Sequence, residues 1–116
     1  MSLQVERWPE PETPDAKTLR ERLQSEGYTV FEWSDAPGTV YGPHSHSEDQ
    51  SHWIISGELE LTVAGERGPQ AGGLVGVLER YTLRAGDRDF LPANATHSAF
   101  VPGSEPVRYL IGSRSS

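Results

Sequence analysis

One stretch constrains this chain more than any other: Gly38-Thr-Val-Tyr-Gly-Pro-His44-Ser-His46-Ser-Glu-Asp-Gln50-Ser-His52-Trp-Ile-Ile-Ser-Gly57. Glycines bracket it, and it holds all but one of the four histidines. In an extended strand, residues two apart face the same side. His44 and His46 then project together while Ser45 faces away, and such an imidazole pair can close on one metal ion. A turn-like Ser47-Glu48-Asp49 break leads to Gln50, and the apolar run Trp53-Ile54-Ile55 leads to Gly57. The order is ligand strand, turn, ligand strand, tight turn. Taken alone, a His-x-His pair also fits an ordinary strand whose histidines are structural.

The rest of the chain is built from similar short runs. Glu58-Leu-Glu-Leu-Thr-Val63 alternates polar and apolar, as a half-buried antiparallel strand does. Tyr28 to Trp33, Tyr81 to Asp87, Phe90 to Pro92, His97 to Val101 and Val107 to Ile111 complete a count of about eight strands, the pattern of an all-β barrel or sandwich. The 12 glycines and 9 prolines suit the tight turns between them. Residues 1–12 carry Pro9 and Pro11 and read as an N-terminal arm outside the core. A helix is expected over about 13–27, with Thr13 as cap, Pro14 at its first position, a stripe of Ala16, Leu19 and Leu23 against the outside of the barrel, and Gly27 as its stop. The barrel should occupy about 28–112 of one domain, residues 13–116. The glycine-rich connection from Ala64 to Val77 reads as a long loop or, alternatively, as a lid over the barrel mouth.

At 116 residues the chain can bury a core of its own, and with no cysteine it must do so without disulfides. Any metal site has only His, carboxylate or amide ligands to draw on. A net charge of −7, from 17 acidic and 10 basic residues, argues against a nucleic-acid partner. No apolar run approaches a membrane span, and the first residues lack a signal-peptide core. A cytoplasmic location follows as the expectation.

The bracketed stretch resembles the first conserved motif of the cupins: Gly38, five residues, His44-x-His46, three residues, Gln50, six residues, Gly57, with glutamine where that family most often has glutamate. Gly86-Asp-Arg-Asp-Phe-Leu-Pro92-Ala-Asn94-Ala-Thr-His97 resembles the second, including its single histidine. Asn94 stands for the usual glycine and Val101 for a frequent asparagine. Asparagine tolerates the left-handed backbone better than most residues, so the turn can survive.

The resemblance implies an all-β fold, a double-stranded β-helix or jelly-roll cupin barrel with a short N-terminal helix, in which the two motifs face each other. It implies His44, His46, Gln50 and His97 as metal ligands, and a divalent transition metal (Zn, Fe, Ni, Mn or Cu) as cofactor. All four ligands are neutral when bound, so the ion keeps its full charge and should favour an anionic or carbonyl oxygen. Parity places His52 on the same face, as a general acid/base, a further ligand, a partner behind a ligand, or a buried structural histidine. Glu48 and Asp49 read as solvated turn residues, with either able to replace Gln50 if the register slips. Tyr41, Trp53, Tyr81, Phe100 and Tyr109 are candidates for a pocket or for plain core, and Arg108 for a surface salt bridge. The expected partner is a small-molecule ligand or substrate, and the resemblance adds a homodimer. Two functions remain open: a small metalloenzyme of isomerase, lyase or dioxygenase type, or a non-catalytic binding or sensing barrel.

Overall fold

Period-two alternation assembles the chain. The computed structural model describes residues 3–12, 14–64 and 78–115. In β5 (Glu58–Ala64), Leu59, Leu61 and Val63 are all but fully buried, while the residues between them are half-buried. Each such side chain, removed from water, stabilises the fold by roughly 1.5–3 kcal/mol before entropy is subtracted. The other strands are β1 (Gln4–Glu6), β2 (Thr29–Asp35), β3 (Val40–His44), β4 (Asp49–Ser56), β6 (Leu78–Arg84), β7 (Arg88–Phe90), β8 (His97–Phe100) and β9 (Val107–Arg114). One sheet has the order β1-β7-β4-β9-β2 and the other β3-β8-β5-β6, with every pairing antiparallel. The inner faces share one apolar cluster that includes Ile54, Leu59, Leu61, Leu83, Val107 and Tyr109. This is the expected jelly-roll barrel with a short helix.

The N-terminal segment departs from its expected role as an arm outside the core. Gln4–Glu6 pairs with β7, and Leu3 is buried in the inner cluster. The prolines that bar regular structure begin only at Pro9, so Leu3 to Glu6 is free to extend and pair. The helix, α1 (Ala16–Ser25), begins later than expected, with Asp15 as its cap, whose carboxylate accepts the Thr18 N–H at 2.8 Å. Thr13, the expected cap, lies outside the described residues. Gly27 ends the helix at φ +94°, and the Tyr28 N–H turns back to the Leu23 carbonyl at 3.1 Å. Residues 65–77 of the glycine-rich connection also lie outside the described residues, between β5 and β6.

Leu19 and Leu23 pack with Tyr28, Trp53 and Leu110 in a second cluster on the outer face of the five-stranded sheet. Trp8 adds its ring to that layer, 6.4 Å from Trp53. Strand β4 therefore faces two ways, with Ser51 and Trp53 toward the helix and His52 and Ile54 toward the barrel interior. At its end, Gly57 turns the chain at φ +81°, and a Cβ there would lie 2.3 Å from the Pro106 carbonyl oxygen. No other residue fits that turn without moving the neighbouring backbone.

A buried cation holds the outer layer. Arg88 is 1% exposed, stacks over Trp53 and Phe90 at 4.4 and 4.2 Å, and donates to Ser51 Oγ at 3.0 Å. Its two terminal nitrogens meet the Glu26 carboxylate, at the end of the helix, at 2.8 and 3.1 Å. Burial alone would raise the Glu26 carboxyl, but the hydrogen bond and charge of Arg88, with Arg22 alongside, outweigh it and hold the group below the usual glutamate range.

Removing one partner of such a pair strands the other. Glu26→Gln is expected to lower the unfolding free energy by about 2–3 kcal/mol, less than a fully buried pair because Glu26 keeps some solvent contact. Adding Arg88→Met should recover much of the loss. Because the folded carboxyl is depressed, the stabilisation is present above about pH 4.3 and disappears as the pH falls through the lower folded value. Urea unfolding of both variants at pH 7 and pH 3 checks this, and a Glu26→Gln effect that is the same at both would refute it.

Candidate metal centre

Three histidines meet because two strands of the four-stranded sheet end together. His44 closes β3 and stands opposite His97, the first residue of β8. The ladder is irregular between Tyr41 and His44, and His46 lies just past the strand. Its carbonyl accepts the Asn94 N–H at 2.7 Å. Asn94 has φ 67°, the left-handed turn that the second motif requires. The ring centroids of His44 and His46 are 4.9 Å apart, those of His44 and His97 4.2 Å, and those of His46 and His97 5.2 Å. One nitrogen from each ring lies within 4.8 Å of the others. The fold thus brings His44, His46 and His97 together.

Backbone carbonyls set the ring tautomers. His44 Nδ1 lies 2.7 Å from the Gly42 carbonyl and His97 Nδ1 lies 2.9 Å from that of Ala95. A carbonyl only accepts, so each Nδ1 carries a proton, and in the neutral ring it is Nε2 that holds the free lone pair. Burial lowers the pKa of His97, and its histidine neighbours lower it further, against the Ala95 carbonyl that favours the charged ring. Burial also lowers His46, helped by His44 and His52. Neutral imidazoles with oriented lone pairs are what a metal ion needs.

Gln50 lines the same cavity from β4. Its backbone is fixed to Leu91 by two hydrogen bonds, at 2.9 and 2.8 Å, and its side-chain nitrogen donates to Ser113 Oγ at 3.3 Å. The amide oxygen remains as the group it can offer. His52, two residues on, reaches the interior as parity predicts but does not stand alone. Asp89, fully buried, accepts the His52 backbone N–H at 2.6 Å and its Nδ1–H at 2.9 Å. Burial by itself would discharge this imidazole, yet the charge and hydrogen bond of Asp89 prevail and raise its pKa. With Nδ1 engaged, Nε2 is the atom His52 can present to the cavity it lines.

Among the candidate turn carboxylates, Asp49 accepts the Ala93 N–H at 2.8 Å and so holds the second-motif turn, while Glu48 is exposed. Tyr41 and Tyr109 do line the cavity, whereas Trp53 packs under the helix and Tyr81 accepts the Leu3 N–H at 3.1 Å. Arg108 forms the surface pair, with Glu32 at 2.8 Å.

Sequence reasoning missed a carboxylate clamp at the cavity wall. Asp35, at the end of β2, accepts Tyr41 OH at 2.6 Å, Tyr109 OH at 2.7 Å and Trp33 Nε1–H at 3.1 Å. Tyr41 belongs to one sheet and Tyr109 to the other, so this carboxylate joins them. Burial and then the Asp35 hydrogen bond push Tyr109 far above the usual phenol range, and Tyr41's own hydrogen bond to Asp35 raises Tyr41. The cavity itself holds about 440 Å³, and Phe31 and Trp33 stand at its open side. That volume is in the range of small-molecule sites, roughly 300–1,000 Å³.

The Cupin domain family matches residues 31–112. Solved structures with the same fold include an oxalate decarboxylase from Lactobacillus farciminis in complex with formate, at TM-score 0.62 and 18% identity over 76% of this chain and 24% of that one. An oxalate oxidase has TM-score 0.63 and 23% identity over 78% of this chain and 43% of its own. A conserved protein of unknown function from Streptococcus pyogenes has TM-score 0.59 and 16% identity over 99% and 75%. The chain thus spans less than half the length of the two oxalate enzymes. No curated protein sequence matches this one.

Long-range 1H–15N correlation spectra of metal-free protein are expected to show His44 and His97 as Nδ1–H tautomers. Titrated the same way, His52 should stay protonated above the ordinary histidine pKa of about 6.5, and His46 and His97 should lose their protons below it. Nε2–H tautomers at His44 and His97 would remove the basis for a convergent donor set.

Proposed function

The chain belongs to the cupin family, and from that premise we propose that it holds one divalent transition metal ion through His44, His46, His97 and Gln50 and acts on a small organic molecule bearing an anionic or oxygen-rich group. The observation that carries this reading is the convergence of three ring nitrogens within 4.8 Å of one another. The donor chemistry fits, because two of the rings are fixed by backbone carbonyls with their second nitrogen bare, and the amide nitrogen of Gln50 is already engaged. When bound, the ion supplies Lewis acidity, undiminished by any carboxylate among these four ligands.

The chain's own residues do the rest. The three histidines and Gln50 orient the head of the ligand, and the apolar walls limit the water around it. His52, backed by Asp89, holds a proton at Nε2 and can give it to a ligand oxygen or take one back. That dyad favours an enzyme over a passive binding barrel, since binding alone does not call for a histidine wired to a buried carboxylate. Metal-dependent isomerase, lyase and dioxygenase chemistries are all compatible, with the last weakened by the lack of a carboxylate ligand. A homodimer, suggested by the family resemblance, and a cytoplasmic location, suggested by the lack of cysteine in the sequence, belong to the same reading.

The test is elemental analysis of protein purified without added metal, beside the His44→Ala and Gln50→Ala variants. Near one ion per chain is expected in the parent. Loss in His44→Ala should exceed the roughly 10–100-fold typical of removing a group behind a ligand, with a smaller loss in Gln50→Ala. Protein that holds no metal, and takes up none on reconstitution, would overturn the proposal.

A further inference from the structure

The walls of the cavity are unlike its histidine-lined part. Phe31, Trp33, Tyr41 and Tyr109 contribute four aromatic rings, with aliphatic surface from residues such as Leu61 and Ile111. Strand pairing places three of the rings: Phe31 lies opposite Ile111 and Trp33 opposite Tyr109 in the β2–β9 ladder, so these side chains project to one face, and Tyr41 reaches the same wall from β3 of the other sheet. Phe31 is 59% exposed and Trp33 51%, large apolar surfaces that a monomer leaves to water. Trp33 is nevertheless held, because its ring N–H donates to Asp35. Tyr41 and Tyr109 are fixed by the same carboxylate. Exposed rings in set orientations are a preorganised wall for a flat apolar body.

Charge points the same way. Among the described residues, no lysine or arginine lines the cavity, Glu32 does, and Arg108 is already paired with Glu32. The chain as a whole carries −7. A ligand with a second carboxylate away from the histidines would find no cation to meet it and would bury that charge unpaired.

We infer that the site takes an organic ligand with a single oxygen-donor head and an aromatic body, the head at the histidines and the body against Phe31 and Trp33. This rests on the metal-site reading for the head, whereas the walls alone carry the body. A compact two-carbon dicarboxylate would leave most of the 440 Å³ and all of the ring surface unused.

Calorimetric titration of the full chain with benzohydroxamate and acetohydroxamate separates the two parts, because these probes share a metal-binding head and differ in one phenyl ring. On zinc-reconstituted protein, benzohydroxamate is expected to bind about 10–100-fold more tightly. Phe31→Ala and Trp33→Ala should each erode that ratio and leave acetohydroxamate within about twofold. Phe31 makes no side-chain hydrogen bond, so its variant guards against a folding defect at the Asp35 clamp. On zinc-free protein both bind more weakly, yet the ratio should persist. A ratio near one, or no binding of benzohydroxamate in either form, overturns the inference whatever the metal analysis gives. So does a Phe31→Ala variant that turns a dimer into monomer with the ratio unchanged, because the rings would then be covered by a second copy.

Discussion

The buried charge of Arg88 fixes the register on which the interior depends. It reaches Glu26 at the end of the helix, Ser51 on β4 and the rings of Trp53 and Phe90. Those contacts lock β7 against β4 with Arg88 opposite Trp53. A slip of one residue would carry Trp53 inward and His52 outward, because side chains alternate faces strictly along a strand. The neighbouring Asp89 points the other way and meets His52. One dipeptide therefore serves two faces of the sheet, with an ion pair under the helix and a carboxylate–histidine pair inside the barrel.

Seen from the cavity, order comes from the backbone rather than from long side chains. The carbonyls of Gly42 and Ala95 choose the tautomers of His44 and His97, and the Asn94 N–H ties the His46 carbonyl to the second-motif turn. Such groups have few degrees of freedom to lose, so the donor set is stiff before anything binds. The acid in the interior is equally constrained, since Asp89 accepts both the backbone and the ring N–H of His52.

The parts legible in the sequence are those set by local rules. Period-two parity paired His44 with His46 and placed His52 on the inner face, the resemblance to the two cupin motifs added Gln50 and His97, and alternation over Glu58 to Val63 marked a strand with its correct buried side. What escaped notice depends on partners far away in the chain. Nothing in the sequence around Arg88 marks it as buried, because a charged side chain rarely enters a core without a partner; only the fold shows Glu26, 62 residues from Arg88, meeting it. Asp35 reads as a strand breaker before Pro37, while its three donors come from β2, β3 and β9. Residues 1–12 read as an arm because of Pro9 and Pro11, and only the edge of β7 shows Gln4–Glu6 as a strand.

The Asp35 clamp separates two properties that many binding sites leave entangled. Here the distance between the sheets at the cavity wall is governed by hydrogen bonds from two phenols to one carboxylate, whereas the character of the wall is governed by side chains such as Phe31, Leu61 and Ile111 that take no part in them. Spacing and lining can then drift independently. In a lineage of such barrels, the lining could be exchanged residue by residue for new occupants while the frame that keeps the entrance open stays unchanged, which makes this wall the natural place for redesign to begin.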